Sequence, residues 1–300
     1  MSPLIWFITG ASSGFGRSMT ELALSLGDIV VATLRKPEVL DGLTSQYPTD
    51  KLLVLKLDVT NQVDIDQAFE TTKAEFGRID IVFNNAGLVM MGELEGFPID
   101  IARNIFEVNF WGASNVSLAA VKFFREVNGP EKGGILLQNS SASGFIPPPC
   151  FGYYSARQVI YHQTRTAIEG FTEGLAKELS PNWNIKVCII QPGAFHTHVM
   201  DAAQLLPPHP AYIHETSSAA YHIRDIVPTA EFQGDPEKFV RTLYKVATGG
   251  DIPLHLPMGM DAVVTIRAKA EKIIAGVNAV ESWSANLKRD DGGQEILVPV

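Results

Sequence analysis

Apolar positions along this chain fall into short runs separated by stretches with a helical repeat. Residues 4–8, 28–33, 52–57, 79–83, 135–141, 185–191 and 252–256 are predominantly apolar without alternation, which is how strands covered on both faces read. Residues 17–26, 63–76, 101–127, 236–248 and 261–279 carry apolar side chains every three or four positions, the pattern of helices with one buried face. Strand and helix alternate through the chain, which predicts an α/β fold with a doubly wound parallel sheet in one domain. Asp235 precedes Pro236, a capping residue and a first-turn proline, and fixes the start of the 236–248 helix. Residues 199–226, rich in Ala, Leu, Pro and Tyr without regular period, read as a mobile, largely apolar lid, and residues 250–300 as a C-terminal extension with a loose tail after Lys288.

The connection between the first strand and the first helix carries the strongest chemical signal. Thr9-Gly10-Ala11-Ser12-Ser13-Gly14-Phe15-Gly16 places three glycines in a strand-to-helix turn. Such a turn brings bare backbone N–H groups, at the positive end of a helix, up to an anion. A pyrophosphate suits it, with Gly10, Ser12, Ser13, Gly14, Phe15 and Gly16 as the candidate cradle. The second strand ends in Leu34-Arg35-Lys36, where a carboxylate would select NAD and an arginine accommodates the 2′-phosphate of NADP. Arg35 is therefore the candidate 2′-phosphate ligand, helped by Lys36 or Arg17. Asp58 ends the third strand, facing the ligand crevice of such sheets, and either bonds an adenine or caps the next helix.

Composition narrows the partners. A net charge of -9 without a lysine or arginine run argues against nucleic acid and against an anionic membrane. No apolar run approaches the length of a membrane span, and residues 4–8 are too short for a signal-peptide core, so the chain reads as soluble and cytoplasmic. Its two cysteines, Cys150 and Cys188, form no disulfide framework. His196 and His198 alternate like a ligand pair but have no third ligand in sight, so no metal is expected.

Taken together, the glycine turn, Asp58-Val59, Asn84-Asn85-Ala86-Gly87, Asn109, Ser140-Ser141 and Pro192-Gly193 resemble the short-chain dehydrogenase/reductase family, in order over residues 4–200. The resemblance implies a Rossmann-type sheet binding NAD or NADP, and an asparagine, serine, tyrosine and lysine that move hydride between nicotinamide and a carbonyl or alcohol. It adds Val59, Asn85, Ala86, Gly87, Pro192, Gly193 and Thr197 to the cofactor set. It also makes Asn109 the holder of a relay water and Ser141 the residue that bonds the substrate oxygen. Family members are commonly dimers or tetramers, which implies a homodimer or homotetramer here.

The catalytic tyrosine of the family lies thirteen residues beyond the serine, which reaches Tyr154, but the lysine four residues later is replaced by Gln158. Family-like sequence resumes at Thr164-Arg165, as though residues 157–163 had been inserted. Three readings stay open. Tyr154, fixed by a strand end and a short loop, acts without its lysine and is preferred. Alternatively Tyr161 and Arg165, spaced i and i+4, replace the pair, arginine supplying the charge that lowers the phenol pKa. On a continuous helix Arg165 would lie ~10 Å beyond Gln158, out of reach of the same ribose. The third reading is a redox-silent protein that binds a nucleotide or small apolar ligand. The first expectation is an NADP(H)-dependent carbonyl reductase or alcohol dehydrogenase acting on a small apolar substrate.

Overall fold

A computed structural model describes residues 2–155, 164–197, 204–227, 230–285 and 287. Its strands are β1 (Ile5–Thr9), β2 (Ile29–Leu34), β3 (Leu52–Lys56), β4 (Ile81–Asn84), β5 (Met90–Met91), β6 (Gly134–Asn139), β7 (Ile185–Pro192), β8 (Gln204–Leu205) and β9 (His255–Met258). Helices are α1 (Gly14–Ser25), α2 (Asp41–Thr44), α3 (Gln62–Phe76), α4 (Ile99–Phe106), α5 (Ala113–Phe123), α6 (Gly129–Lys132), α7 (Ala142–Phe145), α8 (Gly152–Ser155) and α9 (Thr164–Glu178). They are followed by α10 (Ala219–Ile226), α11 (Pro236–Thr248) and α12 (Met260–Ser284). Seven parallel strands form the sheet in the order β3-β2-β1-β4-β6-β7-β9, so the order reverses between β1 and β4. The fold is the expected doubly wound α/β arrangement, and a reversal of this kind opens a crevice at the carboxyl ends of the strands.

Side chains of β1 alternate between two cores. Trp6 and Ile8 pack with Met19, Ala23, Phe239 and Leu243 of α1 and α11. Phe7 points to the other face, among Ile65, Phe69, Val116 and Phe124, with its ring stacked 4.4 Å from that of Phe69. Buried Asp28 ties the first layer together. It accepts hydrogen bonds from Leu4 N (2.9 Å), Trp6 Nε1 (3.0 Å) and the Tyr244 hydroxyl (2.7 Å), and burial together with Asp28 pushes the Tyr244 phenol up to about 12. Asp28→Ala strands three donors and is expected to cost about 2–4 kcal/mol in urea denaturation; a loss below about 1 kcal/mol would contradict that accounting.

Several sequence expectations shift. The 101–127 helix is continuous but contains π-helical stretches at Glu107–Gly112 and Phe124–Asn128. The strand expected at 135–141 stops at Asn139, because Ser141 turns out to cap α7, accepting from Ser143 N at 3.1 Å. The last strand lies at His255–Met258 rather than 252–256; it is a sheet edge, where Pro257 needs no ladder donor. Through β9 the C-terminal segment completes the main sheet. Within the expected lid, β8 pairs with β5 and α10 forms a regular helix. No helix among the described residues is long and apolar enough to cross a membrane.

Candidate active site

Gly10 and Gly14 hold the turn after β1 with φ of 67° and 53°, in the left-handed region that side chains avoid. At Gly10 a Cβ would lie 2.9 Å from Ala86 Cα, so the backbone of the fourth-strand turn closes directly on the first. Ser13 caps α1 by position but bonds none of its N–H groups, which leaves those donors for a ligand. The Asn84–Gly87 segment is stitched to this turn. Asn85 Nδ2 donates to Thr9 O (3.0 Å), and the Thr9 hydroxyl accepts from Asn85 N and Ala86 N, both at 2.9 Å. Below it, buried Asn84 donates to Ala113 O, the Ser117 hydroxyl and Gln138 Oε1.

A cavity of about 550 Å³ runs along the carboxyl ends of the strands. Of the expected cofactor residues it is lined by Gly10, Ser12, Ser13, Gly14 and Phe15 at the first turn, Arg35, Asp58 and Val59 beyond β2 and β3, Asn85, Ala86 and Gly87 after β4, and Pro192, Gly193 and Thr197 after β7. Gly16 does not line it: a Cβ there would collide with the Gly10 carbonyl oxygen, so this glycine serves the packing of α1 on the turn. Asp58 neither caps α3, which Asn61 does, nor leaves its carboxylate unengaged; its Oδ1 accepts from Thr60 N (3.0 Å) and the Thr60 hydroxyl (2.8 Å). Arg17 pairs with Glu21 at 2.5 Å on the exposed side of α1, and neither it nor Lys36 lines the cavity. Arg35 is the cation at this end.

At the other end stand Ser141, the first helical turn of α9, and an apolar wall. Ser141 lines the cavity from the cap of α7. Arg165 is 4% exposed and lines it too, donating from Nη1 to Asn139 O at 2.9 Å. Its Nη2 lies 2.5 Å from where a Gly87 Cβ would be, which explains the glycine at that position. Asn109 sits in the π-helical stretch, fully buried. Its amide bonds both the N–H and the carbonyl of Leu88 at 2.9 Å, with Thr164 Oγ1 3.5 Å away. Asn109, Gly87 and Arg165 thus meet at one point. α9 packs against β7 of the sheet. α8, which carries Tyr154, packs against α7 and α9. Tyr161 and the 157–163 stretch lie outside the described residues, and so does His198. The Tyr153 ring packs against that of Phe97, tilted by 51° with centroids 4.6 Å apart.

Two acidic features were not anticipated. Glu169, one turn after Arg165 on α9, is buried, and burial pushes its carboxyl up to about 7 against the opposing bonds from Ser140 and Gln191. The i, i+4 spacing from Arg165 was the available signal. Glu93 forms a bidentate ion pair with Arg224 of α10. Burial alone would raise its pKa, but the guanidinium holds it below the usual carboxylate range. Nothing in the sequence marked that pairing across 131 positions.

A profile of the short chain dehydrogenase family matches residues 5–205, about two-thirds of the chain. The protein belongs to the short-chain dehydrogenase/reductase family. It is an oxidoreductase by that membership. A Schizosaccharomyces pombe protein described as an uncharacterised oxidoreductase is 35% identical over 95% of this chain and 91% of its own. The 3-ketodihydrosphingosine reductase of Bacteroides thetaiotaomicron is 36% identical over 67% of each chain. A short-chain dehydrogenase from Streptomyces avermitilis, solved by crystallography, superposes with a TM-score of 0.82 at 32% identity, covering 96% of this chain and all of that one.

Proposed function

We propose that this short-chain dehydrogenase/reductase is an NADP(H)-dependent carbonyl reductase or alcohol dehydrogenase for a small apolar ketone, aldehyde or alcohol. The observation that carries the reading is one continuous cavity with an anion cradle and Arg35 at one end and Ser141 beside Arg165 at the other. The cradle fits a dinucleotide: its two left-handed glycines leave the backbone bare, and Ser13 leaves the first N–H groups of α1 unbonded. Gly10 to Phe15 would hold the pyrophosphate, Arg35 the 2′-phosphate, Asp58 and Val59 the adenine side, and Asn85 to Gly87 with Pro192, Gly193 and Thr197 the nicotinamide half. When bound, the nicotinamide supplies or accepts the hydride.

The chain's own residues do the rest. Ser141 donates a hydrogen bond to the substrate oxygen, a tyrosine exchanges the proton with it, and the Arg165 guanidinium lowers the phenol pKa towards neutrality. Asn109 orders the relay at the junction of Leu88 and Thr164. Tyr154, on α8 beside α7, is the preferred donor and Tyr161 its competitor. Replacing each by Phe assigns the role: loss of turnover in Tyr154→Phe alone is expected, and loss in Tyr161→Phe alone would transfer the assignment.

Apolar side chains Ile146, Pro148, Phe151, Ile223, Val227 and Phe232 complete the cavity, which favours an apolar substrate. The Bacteroides relative, whose name specifies a ketone, points the same way. The lid reading for 199–226 draws support from α10, which supplies Ile223 and is latched to the body through Arg224 and Glu93. Exposed Trp111 and Leu118, on the helix that carries Asn109, suit a homodimer or homotetramer through that helix. The buried thiols of Cys150 and Cys188 suit a reducing, cytoplasmic setting, burial pushing Cys188 up to about 12.

Incubation with NADPH and a panel of apolar ketones tests the activity; cofactor binding without turnover on any of them would favour a redox-silent binding protein. Arg35→Asp is expected to weaken NADPH by about tenfold to a hundredfold with little change for NADH. Equal weakening of both would remove the 2′-phosphate assignment.

A further inference from the structure

One buried ionisable group close to the reacting end has no part in the chemistry described so far. Glu169 is 5% exposed and sits where α9 meets the ends of two strands. Its Oε1 accepts from the Ser140 hydroxyl at 2.6 Å, and its Oε2 from Gln191 Nε2 at 3.1 Å. Ser140 directly follows β6 and is the immediate neighbour of Ser141; Gln191 is the penultimate residue of β7, just before the Pro192–Thr197 cofactor segment. A Cβ on Gly144 would come within 2.6 Å of Glu169 Oε1 and 3.2 Å of Arg165 Cβ, so α7, which Ser141 caps, rests directly on these two side chains. One carboxylate therefore spans the serine turn, the cofactor segment and the helix that carries Arg165.

We propose that Glu169 is a positioning residue for the reaction: ionised, it holds Ser140 and Gln191 at once and thereby fixes Ser141 and Arg165 for catalysis. The inference rests on the oxidoreductase reading above. Its chemistry follows from donors and acceptors. A carboxylate accepts at both oxygens, whereas a protonated carboxyl carries one donor that must displace either the Ser140 proton or the Gln191 amide. The Ser140 hydroxyl has a second acceptor to turn to, the Arg165 carbonyl at 3.5 Å, so protonation switches it between two arrangements.

The groups facing Glu169 are Arg165 and Glu173 on its own helix, the former favouring ionisation and the latter opposing it, and the uncharged Ser140 and Gln191 from the strands. Glu173 is itself 3.4 Å from His255 of β9, whose protonation would reduce its opposition. Burial pushes the carboxyl up to about 7, so a change of pH around neutrality shifts the balance between the two arrangements.

The test measures kcat against pH for ketone reduction, with NADPH affinity measured in parallel. For the wild-type enzyme kcat is expected to fall as pH drops through about 7. Glu169→Gln, with one acceptor and one donor like the protonated acid, is expected to show about a tenfold lower kcat at pH 8, no acid limb, and unchanged NADPH affinity. At acid pH the two proteins converge. Ser140→Ala should lose the same limb and add little in the Glu169→Gln background, which keeps the test available if either variant folds poorly. An acid limb that persists in Glu169→Gln, an undiminished kcat at pH 8, or a parallel loss of NADPH affinity would overturn the proposal. A wild-type protein that binds NADPH but reduces no ketone would instead overturn the reading on which it rests.

Discussion

Arg165→Met is expected to lower kcat/KM about a hundredfold, with the alkaline limb of the pH profile altered and NADPH still bound. The methionine keeps much of the buried volume while removing the cation, so packing loss is held down. A free phenol titrates near 10, and each unit by which a fixed charge lowers it corresponds to about 1.4 kcal/mol. A fixed guanidinium supplying two such units accounts for about the hundredfold. Arg165 is well placed to act as a fixed charge: it is buried, its Nη1 bonds the Asn139 carbonyl, and Gly87 leaves room for its Nη2. Arg165→Lys should keep part of the activity, since the charge survives but the planar fork does not. If Arg165→Met turned over at the wild-type rate with an unchanged pH profile, the guanidinium would have no part in proton transfer.

Gly16→Ala should weaken nucleotide binding sharply, although this residue does not touch the cavity. The added Cβ would strike the Gly10 carbonyl oxygen and come within 2.7 Å of Asn85 Nδ2, the group that ties the two turns together through Thr9. Backbone on one side and a bonded amide on the other leave no flexible neighbour to move. Overpacking of this kind costs about 1–3 kcal/mol, and here the distortion falls on the cradle itself. NADPH affinity is expected to fall at least about a hundredfold, with a lower thermal midpoint. Gly42→Ala, at a glycine with nothing within 4 Å of the added atom, is the control and should change neither. Unaltered NADPH affinity in Gly16→Ala would mean that the cradle is not the binding site.

The sequence was most legible where a feature is local. Residues Gly10 and Gly14 could be read because a strand-to-helix turn needs left-handed backbone within a few positions, and Asp235 because a cap and a first-turn proline adjoin the helix they start. The sheet was legible from unbroken apolar runs, with errors at its ends: β6 stops two residues early because Ser141 is drawn into a cap, and β9 is set by pairing with β7. Features made by distant contacts were not legible. Glu93 meets Arg224, β5 meets β8, and Asp261 of α12 accepts from Ala194 N at 2.7 Å in the cofactor segment; none of these follows from spacing. The place of Arg165 was legible only as one of two alternatives, since the spacing alone did not say whether the helix runs on unbroken from Tyr154. The choice between Tyr154 and Tyr161 depends on side chains and residues that lie outside those described.

We infer that the cavity over the strand ends is a dinucleotide site tuned to a 2′-phosphate. Its most direct test is a titration of the wild-type protein with NADPH and, separately, with NADH, followed by tryptophan fluorescence. Saturable binding of both, with NADPH at least about tenfold tighter, is the expected result. Absence of saturable binding by either nucleotide would contradict it.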